Sequence, residues 1–264
     1  MEKNPITVRS VENRSDRKLF CSIPSLFMKD DEVWVPPLQK MLIDQIDPKK
    51  NPWFQHGEAE FFIAERDNRP VGRLSVQIDF THINFHNDSV GFFGFFDSID
   101  DQSVANELFS YAFAWLKKRK IYKIRGPFSL NINQESGLLV EGFESPPRMM
   151  MGHARPYYEK LILNLDFFKI KDLYAYLTAM DTAVPHKYLG ILERYISRNK
   201  ELTFRHLDIK KYNRDIRIIV DLFNRAWEDN WGFIPMTDLD AANMARELKP
   251  IIVPELVWFA FYKG

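Results

Sequence analysis

Three short stretches of this chain return at one offset of 196 residues. Ile6-Thr7-Val8-Arg9 returns as Leu202-Thr203-Phe204-Arg205, and Leu26-Phe27 as Leu222-Phe223. Ala64, in the strand-like run from Phe61 to Asp67, returns as Ala260 in the run from Trp258 to Gly264. Between these anchors Trp34 and Pro36 find rough counterparts in Trp231 and Pro235. One short match arises by chance; three at one spacing read as the same strand–helix–strand unit written twice. The first copy runs on into further strands and a long helix. The second stops at Gly264, where its hairpin should turn. The expected organisation is a complete module over residues 1–182, a connecting helix over 183–200, and an incomplete second module over 201–264. The apolar final strand then needs a partner, because an open strand edge is an aggregation hazard.

Local patterns give the elements. Ile6 to Val11 alternates and reads as a strand. A helix is expected from Ser15 to Met28, ended or kinked near Pro24. A polar helix follows over Leu38 to Gln45, after the Trp34-Val35-Pro36-Pro37 turn. Ala59 to Arg66 and Val71 to Asp79 form a hairpin across Asp67-Asn68-Arg69-Pro70, where Asp and Asn bond their own backbone. Thr81 to Ser89 reads as a loop and Val90 to Phe96 as a buried strand. Gln102 to Lys120 places Val104, Leu108, Tyr111, Ala112, Trp115 and Leu116 on one helical face, with Asp101 or Ser103 as N-cap. Tyr122 to Arg125 is a short strand broken by Gly126-Pro127. Residues 127–156 are irregular. Pro156 to Leu165 reads as a helix with Pro in its first turn, Lys169 to Leu177 as a closing strand, and Pro185 to Arg198 as the connecting helix. Ile251 to Tyr262 reads as a loop and then a buried strand.

The composition narrows the class. With 36 basic and 36 acidic residues the formal charge is zero, which argues against a dedicated nucleic-acid binder. One cysteine, Cys21, excludes an internal disulfide and fits a reducing cytoplasm. No run approaches the ~20 apolar residues of a membrane helix. The 22 Phe, 10 Tyr and 6 Trp supply a large core, or a core with an apolar slot. No nucleophile elbow, P-loop or dinucleotide fingerprint is present.

Several stretches carry a family resemblance: Asn51-Pro52-Trp53-Phe54-Gln55-His56, Phe92-Phe93-Gly94-Phe95-Phe96, Arg125-Gly126-Pro127, the run Asn133 to Phe143, Pro156-Tyr157-Tyr158-Glu159-Lys160, and Asn230-Trp231-Gly232-Phe233-Ile234-Pro235-Met236. They resemble a bacterial family of tandem GNAT-like proteins described as N-acetyltransferases. The resemblance implies an α/β (mixed α+β) fold: a central mixed sheet flanked by helices, plus the first elements of a second GNAT-like repeat. It implies acyl transfer from acyl-CoA or an acyl carrier to an amine, with acyl-CoA a co-substrate rather than a permanently bound cofactor. A homodimer is allowed. In GNAT enzymes the acyl-CoA pyrophosphate rests on a glycine-rich turn at a helix N-terminus. The matching turn here, Phe96 to Gln102, has no glycine and three carboxylates. The alternative is therefore a non-catalytic, degenerate domain that binds a ligand or holds a dimer.

The candidate chemistry lies late in this first module. Tyr158 stands where GNAT enzymes carry a tyrosine that protonates the leaving thiolate. The 131–155 loop brings Asn131, Asn133, Gln134, Glu135, His153 and Arg155 together; a long irregular loop in a compact domain is usually functional. Glu135 is the candidate general base, provided burial raises it toward neutrality. Asn131, Asn133, His153 and Arg155, together with Met150, are candidate substrate contacts. Met149, Met150 and Met151, with Phe143, offer a soft apolar lining suited to an acyl chain. His82 and His86 would share a helical face only if their segment were helical, and no metal site is expected. His56 reads as a satisfied structural histidine, and the basic run Lys117 to Lys120 as complement to a helix dipole.

Overall fold

The computed structural model describes residues 4–178 and 186–263. They fall into two compact units, Met1–Ile170 with Ala226–Asp240, and Lys171–Arg225 with Ala241–Gly264.

The first unit is built on a five-stranded sheet of β1 (Thr7–Ser10), β2 (Gly57–Arg66), β3 (Arg69–Asp79), β4 (Val90–Ser98) and β5 (Lys123–Arg125), in that spatial order. Pairings are antiparallel up to β4, and β4–β5 is parallel. The mixed α/β sheet is the one expected. The β2–β3 turn is tighter than expected: only Asp67 and Asn68 lie outside the strands, both at positive φ, as a two-residue hairpin turn requires. In β4, Phe95 and Phe96 together oppose the single residue Leu74, forming a bulge, with Phe95 at φ 47°.

Helices cover both faces. On one lies α4 (Gln102–Lys118), whose Val104, Leu108, Ala112 and Leu116 bury against Phe62, Ala64, Leu74 and Val76. Asp101 caps it by accepting from Ser103 N. On the other lies α1 (Arg14–Phe27), capped by Asn13 and Asp16 in a reciprocal box. Its Phe20 and Ile23 pack on Phe61, Ile63 and Phe95. Pro24 does not end α1 at once; the helix runs on to Phe27. Proline has no N–H to return to Phe20 O, and the buried Arg73 guanidinium donates to that oxygen instead, at 3.0 Å. Shorter helices are α2 (Gln39–Gln45), α3 (Phe80–His86) and α5 (Tyr158–Leu163).

Two expectations are corrected. Residues 81–89 are not all loop: α3 forms because Asp79, the last residue of β3, accepts from Thr81 N and His82 N and caps it. Among the described residues Lys169 to Leu177 forms no strand and joins neither sheet, and Tyr174, Tyr176 and Leu177 are exposed. The expected module boundary at 182 and Pro185 lie outside the described residues.

The second unit holds α6 (His186–Arg198), β6 (Leu202–His206) and β7 (Trp258–Tyr262). Between the two strands the chain forms α7 (Tyr212–Ala226) and α8 (Asp238–Leu248). β6 and β7 pair antiparallel with Thr203 opposite Phe261, Phe204 opposite Ala260, Arg205 opposite Phe259 and His206 opposite Trp258. Each pair is the 196-residue shift of a β1–β2 pair: Thr7–Glu65, Val8–Ala64, Arg9–Ile63 and Ser10–Phe62. The electrostatics repeat too. Arg9 binds Asp16 in the first turn of α1, and Asp16 accepts from Glu12 N. Arg205 binds Asp215 in the first turn of α7, and Asp215 accepts from Asp208 N.

Candidate active site

The alternation of β3 sends Leu74, Val76 and Ile78 into the core beneath α4 and turns Arg73, Ser75, Gln77 and Asp79 to the opposite face. Alternation of this kind normally puts the polar side in water. Here all four are buried, three of them with no exposed surface. Buried polar groups need partners, and each has one. Arg73 Nε donates to Asp97 Oδ2 at 2.7 Å, and its guanidinium lies 4.8 Å from the Phe20 ring. Ser75 donates to Gln77, and Gln77 Nε2 donates to Phe128 O at 2.7 Å.

Asp79 is the most heavily bonded of the row. Beyond its capping bonds it accepts from Trp53 Nε1 at 2.9 Å and Asn131 Nδ2 at 3.1 Å, and lies 3.4 Å from His56 Nδ1. The other nitrogen of His56 meets Asp240 Oδ2 at 2.9 Å. Burial works to lower the His56 imidazole, but bonds to Asp240 and Asp79 overcome it and raise the pKa to about 10. His56 is thus a cation between two carboxylates. Gly232 and Ile234 help close a cavity of about 10 Å³ beside Asp79, His82 and Arg125, room for a single water. His86 and Asn133 bond the backbone oxygens of Phe233 and Ile234.

The sequence candidates separate. Asn131 is buried, donating to Asp79 while its Oδ1 accepts from Asn133 N. His153 Nε2 meets Asp31 at 2.9 Å, and Arg155 Nε donates to Phe27 O at 2.9 Å, so both tie the late loop to the end of α1. Met150 is exposed beside Met149 and Met151. Tyr158 is 1% exposed, and its hydroxyl donates to Asp97 at 3.2 Å. Burial, with Asp97 and Tyr157 adding, pushes that hydroxyl far above its ordinary value. Asp97 does not stand on the turn as expected; it is a β4 residue locked to Arg73. Asp101 is on the turn, capping α4 and bound to Arg66 at 3.0 Å.

Glu135 differs from these. It is exposed, yet burial is the first cause of a carboxyl raised above its usual range, with Arg73 lowering it and Asp97 raising it. Its backbone is pinned by Ser129 N donating to Glu135 O at 2.7 Å, and a Cβ at Gly152 would stand 3.0 Å from its Oε1. Cys21 offers no nucleophile: it is buried, and burial pushes its thiol up to about 11. His82 and His86 do share a helix, their rings 4.4 Å apart. Among the described residues no three His, Cys, Asp or Glu are grouped to hold a metal, and no helix is long and apolar enough to cross a membrane.

The order β1 to β5, antiparallel up to a parallel β4–β5 pair, with helices on both faces, is the GNAT-like architecture implied by the motifs. No family model matches the chain. It is 36% identical over 254 residues to Protein YghO of Escherichia coli (strain K12), covering 96% of this chain and 64% of that protein. It is also 36% identical over 262 residues to the Bacterial ceramide synthase of Caulobacter vibrioides (strain NA1000 / CB15N), covering 98% of this chain and 67% of that protein. The chain belongs to the family of these two proteins, and spans about two thirds of their length. Among solved structures it is similar to a predicted acetyltransferase from Clostridium acetobutylicum, crystallised with acetyl-CoA (16% identity, 66% of this chain, 96% of that one, TM-score 0.39). It is similar also to an aminoglycoside acetyltransferase from an uncultured soil metagenomic sample in complex with sisomicin (9% identity, 66% of this chain, 97% of that one, TM-score 0.41).

Proposed function

We propose that this protein is an N-acyltransferase that moves an acyl group from a thioester, acyl-CoA or acyl carrier, to the amine of a long-chain base. The single observation that carries the reading is Glu135, an exposed carboxylate beside Gly152 whose carboxyl is raised above its usual range. A base for an amine nucleophile has to accept a proton near neutral pH. The amine attacks the thioester carbonyl and passes its proton to Glu135; the carbon–sulfur bond breaks, and the thiolate takes up a proton. The acceptor class rests on kinship with a protein named a ceramide synthase, and the exposed Met149 to Met151 supply soft apolar surface just before Gly152 in the chain, the residue that neighbours Glu135. Tyr158 enters as a positioning residue, holding Asp97 in place beside Arg73. The shared 196-residue register supports reading the chain as a tandem of a module and part of its repeat.

A second reading has its own observation. Asp101 occupies the N-terminus of α4, where a pyrophosphate would have to bind, and Arg66 holds it there. On this reading the first unit is non-catalytic and serves ligand binding or dimerisation.

A thermal-shift titration with CoA, acetyl-CoA and a long-chain acyl-CoA separates the two. Ligand at ~100 times its dissociation constant adds about 2.7 kcal/mol. A shift specific to the long-chain thioester, followed by thiol release on adding a long-chain amine, is the expected result. No shift and no thiol release with any thioester would overturn the catalytic reading.

A further inference from the structure

We propose that residues 231–240 clamp the loop that carries Glu135, and that Gly232, acting through Ile132, and Ile234, acting through Asn133, are positioning residues for the reaction at that carboxylate. In its catalytic part the proposal rests on the acyl-transfer reading.

Residues 231–240 follow α7 in the chain and run into the first turn of α8, yet they belong to the first unit. They are anchored there at several points. Asp240 Oδ2 lies 2.9 Å from His56 Nε2, just before β2, and also accepts from the Thr237 hydroxyl. Phe233 and Ile234 are buried. The Phe233 ring meets Phe85 of α3 at 5.4 Å, and its carbonyl accepts from His86 Nε2 at 2.7 Å. The Arg125 guanidinium of β5 lies 5.5 Å from the Trp231 ring. These anchors stand on the scaffold around the sheet and not on the loop.

Two further contacts reach the loop. Asn133 Nδ2 donates to Ile234 O at 3.2 Å. Gly232 comes so close to Ile132 that an added Cβ would stand 2.6 Å from its Cδ1. Covering an apolar cluster calls for side chains, which Trp231 supplies by packing with Ile132 on Val90, Phe92 and Phe128. Here the backbone itself is brought against the loop, a carbonyl at Asn133 and a glycine at Ile132.

Ile132 and Asn133 stand just before Glu135, and the chain between them is tied. Asn131 Oδ1 accepts from Asn133 N, Gln134 N donates to Asn131 O, and Phe128 pairs with Ser136. A displacement at 132 or 133 is therefore passed on to Glu135. From the sheet side, Gln77 and Asp79 hold the same loop at Phe128 and Asn131. A base must be held in its productive geometry by neighbours that are themselves fixed, and the clamp supplies that hold from a distant part of the sequence.

The test compares the full chain with Gly232→Ala, Ile132→Val and the double variant, in which loss of Cδ1 makes room for the new methyl. The first readout needs no activity. Carbon-13 NMR follows the glutamate carboxyls with pH, the Glu135 signal being the one lost in Glu135→Gln. In Gly232→Ala the Glu135 midpoint should fall by about half a pH unit or more, as the carboxyl loses part of the burial that raises it. Adding Ile132→Val should restore most of it. The second readout is consumption of a long-chain acyl-CoA with a long-chain amine: kcat should fall about tenfold or more in Gly232→Ala, with a smaller change in KM, and recover in the double variant. Asn133→Ala tests the same clamp should Gly232→Ala fail to fold, and should move both readouts in the same direction. An unchanged Glu135 midpoint in a folded Gly232→Ala or Asn133→Ala protein overturns the proposal. So does a loss in Gly232→Ala that Ile132→Val does not relieve, the mark of strain at Gly232 alone. Midpoints that move as expected in a protein whose wild type consumes no thioester uphold the clamp and sink the acyl-transfer reading instead.

Discussion

His56 Nε2 and Asp240 Oδ2 lie 2.9 Å apart although 184 residues separate them in sequence. On its other side the imidazole faces the fully buried Asp79. Asp240, far along the chain, therefore completes the ion-pair chain of the first unit, to which residues 226–240 belong.

This pairing predicts a pH-dependent stability. His56 titrates at 6.5 unperturbed and at about 10 in the fold. A raised folded value stabilises fully below the unfolded pKa, and the contribution fades as pH rises through 10. Asp240→Asn removes one carboxylate and should lower Tm at pH 6, by about 2–4 °C for each kcal/mol lost. The deficit should shrink steadily by pH 10. Melting curves of both proteins from pH 6 to 10.5 decide it; a deficit that is flat across the range sinks the ion-pair chain.

Arg73 and Asp97 make a second prediction. Both side chains are 8% exposed. Removing one partner of such a pair strands the other charge, at a cost of about 3–5 kcal/mol. Asp97→Leu should therefore unfold at much lower urea than the wild type. The double variant Arg73→Met with Asp97→Leu should recover much of the loss, because no bare charge remains. Chemical denaturation of the three proteins measures the coupling, and strict additivity would refute it.

Gly94 has no room for a side chain: an added Cβ would stand 1.8 Å from Phe128 O. That oxygen is the one Gln77 grips. Gly94→Ala pushes it away and leaves the buried Gln77 amide unpaired, so a loss of roughly 3 kcal/mol or more is expected, beyond the effect of an ordinary substitution. Gln77→Leu, which leaves Phe128 O with Leu130 N alone and strands the buried Ser75 hydroxyl, should cost about 1–3 kcal/mol. Amide exchange should quicken in residues 128–136 of both variants. Normal protection there would show that the sheet does not hold this loop.

Much of the first unit was legible because its periodicities are clean. β2, β3, β4 and α4 follow from alternation and from the spacing of Val104, Leu108 and Ala112, and even the second strand pair was implied by the offset. The errors have physical sources. Residues 169–177 alternate like a strand, but a strand exists only with a partner. α3 was hidden because its cap, Asp79, also ends β3. The buried row Arg73, Ser75, Gln77, Asp79 was not read from the sequence for a deeper reason: alternation tells which residues share a face, not whether that face meets water. Four polar residues in strict alternation, beside a long loop rich in Asn and Gly, were the available signal. Of the site residues, Glu135 and Met150 are exposed, while Tyr158 and Asn131 are buried. His153, Arg155 and Asn131 are spent on backbone and carboxylate partners, contacts between distant segments that spacing cannot reveal.

Glu135 yields the prediction that bears most on function. Its carboxyl is raised above 4.5, chiefly by burial. A carboxyl so raised costs the fold nothing below its unfolded pKa and destabilises it once pH exceeds the folded value. Glu135→Gln should therefore raise Tm at pH 7 and leave it unchanged near pH 4. If Glu135 is the base, the same substitution should slow thioester consumption by about 10²–10⁴-fold, a loss that greater stability cannot explain. Gly152→Ala sets a methyl 3.0 Å from Oε1 and should crowd the acceptor, raising KM more than it lowers kcat. A Glu135→Gln protein that is more stable and fully active would place the base elsewhere while keeping the raised carboxyl. One that is neither stabilised nor slowed would remove both.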